Sequence, residues 1–338
     1  MSRKRLGMGT YELSSPVIIR SSAAVVGRKE KEGPLGEYFD HYQNDEYCGE
    51  DSFEKAESFL QKEAMKYAFG ECQIAEKDLD FVFAGDLLNQ CIGSNYSLRD
   101  SGVCFFGLYG ACSTMVEGLI LSSMAVDGGF ADLCAAVTSS HFCSSERQYR
   151  FPLEYGGFRP QSAQWTVTGS GCAVVGSSGQ GVAIRRVCPG VITDMNITDM
   201  ANMGAAMAPA AAFTLKRFFR DTATSPEDYD LILSGDLGHV GSSLLRDLMK
   251  ADGTVLGENY HDCGCMIFDP DRQDVHSGGS GCGCVASVLC GYVLPQMRQG
   301  RWKRALVMGT GALMSPTSMM QGESVPGIAH LIELEVTV

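Results

Sequence analysis

The stretch LYGACSTMVEGL, residues 108–119, sets a cysteine where a thiol could do chemistry. Gly110 and Ala111 leave room beside Cys112, and Met115, Val116, Leu119, Ile120 and Met124 follow at the spacing of one apolar helix face. A cysteine in the first turn of a buried helix meets free backbone N–H groups and the positive end of the helix dipole, which favour a thiolate. A thiolate there can attack an acyl carbon. The other readings of Cys112 are a wall of a pocket and a plain core cysteine. His261, Cys263, Cys265, His276, Cys282 and Cys284 bring two C-x-C pairs near histidines, which raises zinc as a ligand. The spacing argues against it, because structural zinc sites use C-x₂₋₄-C and CGCMIFD alternates as a strand would over 263–268. Arg147, Arg150 and Arg159 flank aromatics in the polar stretch 138–162 and are the local candidates to grip a carboxylate; solvated surface charge is the competing reading. Gly309 and Gly311 in MGTGA lack the surroundings of a nucleotide-binding fingerprint.

The elements that must position these residues repeat along the chain. EKDLDFVFAGDL at 76–87 and PEDYDLILSGDL at 226–237 share D-x-D, an apolar run and G-D-L at an offset of 150 residues. A second pair, beginning at Ala111 and Gly283, matches at an offset of 172, with Cys112 on Cys284, Gly128 on Gly300 and Phe130 on Trp302. Both matches keep the order of turn, helix and strand, as duplication of one α/β unit would. The spacing predicts strands at 17–27, 79–84, 131–138, 163–175, 181–188, 230–234, 263–268, 303–309 and 328–337. It predicts helices at 52–70, 199–219, 241–250 and 284–298. Near-continuous apolar strands alternating with helices mean a layered α/β fold of two duplicated halves, 1–190 and 191–338. A stretch as long and polar-aromatic as 138–162 in such a domain is functional or lies at an interface.

With 338 residues, 45% of them hydrophobic, the chain can bury one large core or two fused ones. The formal net charge of −13, with no basic cluster beyond RKR near the start, excludes nucleic acid as a partner on electrostatic grounds and disfavours an electrostatic grip on anionic lipid. The 14 cysteines are scattered through apolar segments and read as small buried hydrophobes in a reducing compartment. The first residues are basic without an apolar run, so no signal peptide is expected. No run approaches the ~20 apolar residues of a membrane span, so any membrane association is expected to be peripheral.

A duplicated α/β unit with a Gly-Ala-Cys turn heading a buried helix resembles the thiolase-fold superfamily, which holds the thiolases and β-ketoacyl synthases. GACS around Cys112, HSGGSGCGCVAS at 276–287 and MGTGALMSP at 308–316 carry the likeness over nearly the whole chain. Within it, SSHFCSSERQYRFPLEYGGFRPQSAQWTVTGSG resembles one family, the stage V sporulation AD proteins of spore-forming Firmicutes. The resemblance implies an acyl-accepting cysteine helped by a histidine and an asparagine or second histidine that stabilise an oxyanion. Position by position, Cys112 keeps the nucleophile's place, Gly235 and Asp236 stand where the histidine belongs, and Cys282 stands for the other donor. The nearest histidine is His239. Losing one such donor costs ~3–4 kcal/mol of transition-state stabilisation, and Asp236 would repel the oxyanion and raise the thiol pKa of Cys112.

The resemblance therefore implies a binding protein rather than an enzyme, with dipicolinic acid as ligand, taken up into the developing spore alongside membrane proteins of the same system. An active condensing or thiolytic enzyme using Cys112 is the alternative. The expected site uses Cys112 with Ala111, Gly283 and Gly309 lining the approach, Cys282 beside it, His239 and Arg147 or Arg150 as donors, and Asp236 reached through a ligand-borne Ca²⁺. No other cofactor is expected. The superfamily also implies a homodimer, with strand 131–138 pairing across a twofold axis at a subunit edge.

Overall fold

In a computed structural model, residues 4–149 and 158–337 are described. Ten strands form one path: β1 (Thr10–Gly27), β2 (Phe81–Gly85), β3 (Cys104–Leu108), β4 (Leu133–Ser140), β5 (Gly169–Gly176), β6 (Val182–Cys188), β7 (Leu231–Ser234), β8 (Tyr260–Asp262), β9 (Arg304–Ala312) and β10 (Gly327–Val336). Their order is β3-β2-β4-β5-β1-β6-β10-β9-β7-β8. The two ends match strand for strand: β2 is parallel to β3 and β4, as β7 is to β8 and β9, while β5 and β10 run antiparallel to their neighbours. The second set starts at β6, which takes the place of β1, so the repeat begins ahead of the division at 190 read from the sequence.

Alternation along the strands builds the layers. Ala23, Val25, Val82, Ala84, Ala135 and Val137 face Leu60, Ala64 and Ala68 of helix α1 (Phe53–Cys72). Their neighbours Ala24, Val26, Phe83, Cys134 and Ala136 face Met115, Val116, Leu119 and Ile120 of α3 (Thr114–Asp127), which follows the short α2 (Ile92–Leu98). In the second set Ile232, Leu306 and Leu331 meet Met207, Ala211 and Leu215 of α5 (Met203–Thr222), which lies beside α6 (Gly238–Ala251). Leu231, Leu233, Val307 and Ile332 turn inward to the same core as α3. That core also holds Cys284, Val285 and Leu289 of α7, a helix running from Cys282 to Arg298 with a π-helical turn at Leu289–Val293. The two ends of this continuous sheet thus enclose a central pair of helices and carry helices outside. Among the described residues no helix is long and apolar enough to cross a membrane.

Four expectations are corrected. Residues 263–268 are no strand: the Asp262 carboxylate accepts from Cys265 N at 3.2 Å and caps a helical turn, Cys263–Met266. The segment 163–175 breaks into Trp165–Thr166 and β5. The expected edge strand is interior, because β4 is paired on both sides, by β2 and β5; the free edge belongs to β3, with Phe106 exposed. Met124 lies off the buried face of α3 and is exposed.

Glycines close the halves together. A Cβ on Gly283 would stand 2.4 Å from Gly169 O and 2.6 Å from Ser140 Oγ, and one on Gly309 would stand 2.9 Å from Ser113 O. Both positions are taken up by packing rather than by an open approach to Cys112. Gly283→Ala is expected to destabilise by ~1–3 kcal/mol through overpacking, read as a lower urea midpoint. An unchanged midpoint would show that α7 can move away from β5.

Candidate functional site

Cys112 sits in a single 3₁₀ turn, Ala111–Ser113, between β3 and α3. Ala111 has φ of 50°, in the left-handed region that a non-glycine residue adopts only when its surroundings hold it. Thr114 Oγ1 holds the turn by donating to Ala111 O at 2.6 Å and accepting from Gly110 N at 3.0 Å. Ser113 Oγ donates to Gly110 O at 2.6 Å.

The second half brings its residues onto this turn. Asp236, at the end of β7, is fully buried. Its Oδ1 accepts from Thr310 Oγ1 at 2.8 Å, and its Oδ2 accepts from Ser280 Oγ at 3.2 Å and Gly281 N at 2.9 Å. Gln164 Nε2 donates to its backbone carbonyl at 2.6 Å. Ser280 Oγ stands 3.9 Å from Cys112 Sγ, and Cys282 Sγ donates to Ser139 O at 2.9 Å. Cys112, Cys282 and Leu87 form one buried cluster. Of the positions singled out in the sequence, the structure brings together Cys112, Asp236 and Cys282.

Electrostatics at the site oppose a thiolate. Burial, then the Asp236 carboxylate, push the Cys112 thiol well above its ordinary range. Burial, then the neighbouring Cys112, do the same to Cys282. The helix-end thiolate expected from sequence is overturned, while the expected effect of Asp236 stands. Burial raises Asp236 itself to about 7. At the positions that the resemblance assigns to the two donors, one residue is a carboxylate and the other has its S–H directed to Ser139 O.

The cover over Cys112 was missed in the sequence. Helix α4 (Phe142–Tyr149) forms inside the stretch 138–162 and lays Tyr149 against Leu87, Cys112 and Cys282. Tyr149 Oη donates to Leu87 O at 2.6 Å and lies 2.7 Å from Tyr109 Oη. Gln148 clamps the same loop: its Nε2 donates to Leu87 O and its Oε1 accepts from Asn89 N, each at 2.9 Å. That loop continues through Gln90 and Cys91, both at positive φ. The signal was the aromatic content of the stretch, but nothing in the sequence said which ring turns inward.

Behind the cysteines lies a second buried acidic group. Glu57 accepts from Ser139 Oγ at 3.0 Å and Ser144 Oγ at 2.9 Å. Asp86, the counterpart of Asp236 in the repeat, accepts from Ser94 N at 2.8 Å and Ser94 Oγ at 2.7 Å. Burial and the Asp86 carboxylate raise Glu57 to about 8.

The remaining candidates lie elsewhere. His239 is exposed on the first turn of α6, its backbone N donating to Ser277 O at 2.8 Å. Helix α6 begins at Gly238, earlier than expected, and this turns the ring away from Cys112. Arg147 is half exposed and paired with Glu54. Arg150 lies outside the described residues. Arg159 lies over Trp165, 4.8 Å from its ring centroid, and donates to Gln164 O. Among the described residues no three of His, Cys, Asp and Glu stand together to hold a metal ion; His276 pairs with Asp274 at 2.9 Å.

Comparison with known proteins gives the family and the fold. The family model described as Stage V sporulation protein AD (SpoVAD) matches residues 7–335. The stage V sporulation protein AD of Bacillus subtilis (strain 168) is 43% identical over 332 residues, 98% of each chain. Among solved structures, 3-oxoacyl-[acyl-carrier-protein] synthase III from Aquifex aeolicus VF5 superposes with a TM-score of 0.57 at 13% identity, over 94% of this chain and 100% of its own. A histidine-to-aspartate variant of OleA from Xanthomonas campestris gives 0.59 at 14% identity, over 96% of this chain and 100% of its own. Those two share the fold, and the match along almost the whole sequence makes this chain a member of the stage V sporulation protein AD family, built on a thiolase-like fold.

Proposed function

We propose that this sporulation protein is a non-catalytic member of its fold class that binds dipicolinic acid, as its calcium chelate or with protons attached, and supports its uptake into the developing spore. One observation carries the non-catalytic reading: a buried carboxylate and a committed thiol, Asp236 and Cys282, occupy the places of the two oxyanion donors beside Cys112. The ligand is the one that the family resemblance implies. Dipicolinate is a flat dianion, and the groups around Cys112 are hydroxyls, thiols and an acid, with no cation bonded to Asp236 among the described residues. A bare dianion is repelled there, whereas a calcium chelate is neutral. Asp236 supplies hard carboxylate oxygens of the kind a calcium ion takes as ligands. The protein works as a homodimer at the surface of the spore inner membrane, on its cytoplasmic side, beside membrane proteins of the same system.

Calorimetry tests the site. Binding is expected to strengthen with Ca²⁺ and to weaken about tenfold, ~1.4 kcal/mol, in Asp236→Ala, with Asp236→Asn as the shape-conserving companion. Cys112→Ser should leave binding nearly intact, because no covalent step is involved. Loss of binding in Cys112→Ser, or indifference to both calcium and Asp236→Ala, would sink this site. The alternative, an acyl-thioester condensing or thiolytic enzyme, draws on the retained Cys112 and on neighbours that are synthases. Mass spectrometry after incubation with acyl-CoA separates the two: an acyl adduct on Cys112 that turns over would establish the enzyme.

A further inference from the structure

Away from Cys112, two segments build a surface of unusual composition. Residues 189–202, PGVITDMNITDMAN, and 313–326, LMSPTSMMQGESVP, hold Met195, Met200, Met314, Met319 and Met320 together with Asp194, Asp199 and Glu323, and no Lys, Arg or His. They lie side by side. Thr193 and Gly327 exchange two backbone hydrogen bonds of 2.8 Å, Val325 N donates to Ile197 O at 2.8 Å, and Ser324 Oγ donates to Asp194 Oδ2 at 2.5 Å. Large apolar side chains stand outward: Ile192 is 60% exposed, Met195 61% and Met320 82%. Val191 and Phe213 of α5 extend the patch. Arg217, the cation next to Phe213, is buried and donates to Pro189 O, so it presents no charge there.

We infer that this face docks a cationic amphipathic segment of a protein partner. Contiguous exposed apolar side chains mark interaction surfaces. Methionines make such a surface adaptable, because they are unbranched and polarisable and repack around different shapes. The charge selects the occupant: three acids without a base complement Lys and Arg on the polar side of a helix. The same acids, on a chain of net charge −13, repel anionic lipid. Neither point depends on what binds beside Cys112, so failure here leaves the ligand reading standing.

Fluorescence anisotropy with the full chain tests it, using a labelled helical peptide of leucine and lysine about 14 residues long and the same peptide with glutamate for lysine. Saturable binding of the lysine peptide alone is expected. Met195→Ser with Met320→Ser should weaken it about tenfold, and Glu323→Gln about threefold at low salt with the difference fading at high salt. Phe130→Ser, at an exposed aromatic outside these segments, should leave it unchanged. Equal binding of the glutamate peptide, no binding, or indifference to the double variant would overturn the inference. So would uptake of the protein by phosphatidylglycerol vesicles that the double variant abolishes, which would assign the face to lipid. A self-associated form dissolved by the double variant would assign it to a second copy of this chain.

Discussion

Replacing Tyr149 with alanine is expected to speed alkylation of Cys112 by iodoacetamide at least about tenfold. Cys112 is 5% exposed and Tyr149 is the partly buried ring packed on its cluster. The ring is held by its hydroxyl on Leu87 O and by Tyr109, and α4 beneath it is tied down through Ser144 to Glu57 and through Gln148 to the 87–89 loop. Alanine removes the cover. Tyr149→Phe keeps the ring and loses only the hydrogen bonds, each worth about 1 kcal/mol, so its rate should rise less. Access and acidity can be told apart. Asp236→Asn removes a negative charge beside the thiol and shifts the pH profile of alkylation to lower pH with the cover in place, whereas Tyr149→Ala, which relieves burial as well, also raises the limiting rate at high pH, where the thiol is ionised in every variant. The exposed Cys104 serves as internal reference in the same mass spectra. Cys112 reacting as fast as Cys104 in the unmodified protein, or no faster in Tyr149→Ala, would show that Tyr149 does not control access.

The parts of the fold that were legible in sequence are those written as repeated patterns. The G-D-L motif at two places put Asp86 and Asp236 at the ends of equivalent strands, β2 and β7, and the 172-residue offset set α3 against α7. Comparison by position was enough to bring Cys112, Asp236 and Cys282 together. What stayed hidden depends on tertiary contact. A glycine kept small for access and one kept small for packing look alike in sequence, and only the 2.4 Å approach to Gly169 O shows which kind Gly283 is. The short edge strand β3 was not read as a strand, so the edge was sought among the strands that were. The cap of Asp262 on Cys265 N overrode the alternation of CGCMIFD. His239 was misplaced because helix α6 starts one turn earlier than its apolar pattern does.

Stability is expected to fall as pH rises from 6.5 to 8. Three buried acids hold their protons in the folded state beyond the usual carboxylate range: burial raises Glu30 and Glu57 to about 8 each, the latter with help from Asp86, and raises Asp236 to about 7. In the unfolded chain all three are ionised throughout this window. The folded state therefore binds more protons, and its stability drops with pH by at most ~1.4 kcal/mol per unit for each acid until that acid ionises. Two buried histidines act oppositely but at lower pH. Burial lowers His141 and His330 to about 4, so the unfolded chain takes up their protons only below about 6.5. Below 6.5 the two effects offset each other, and above it only the acids remain. A loss on the order of 3 kcal/mol between pH 6.5 and 8 follows, or roughly 5 °C in Tm for a chain of this size. Glu57→Gln keeps the shape, lets Ser139 and Ser144 reorient as donor or acceptor, and removes one titrating group. It should flatten the slope while raising Tm at pH 8 relative to the parent. A Tm that holds steady or climbs from pH 6.5 to 8, or a slope unchanged in Glu57→Gln, would mean that these carboxyls ionise in the folded protein as they do in water.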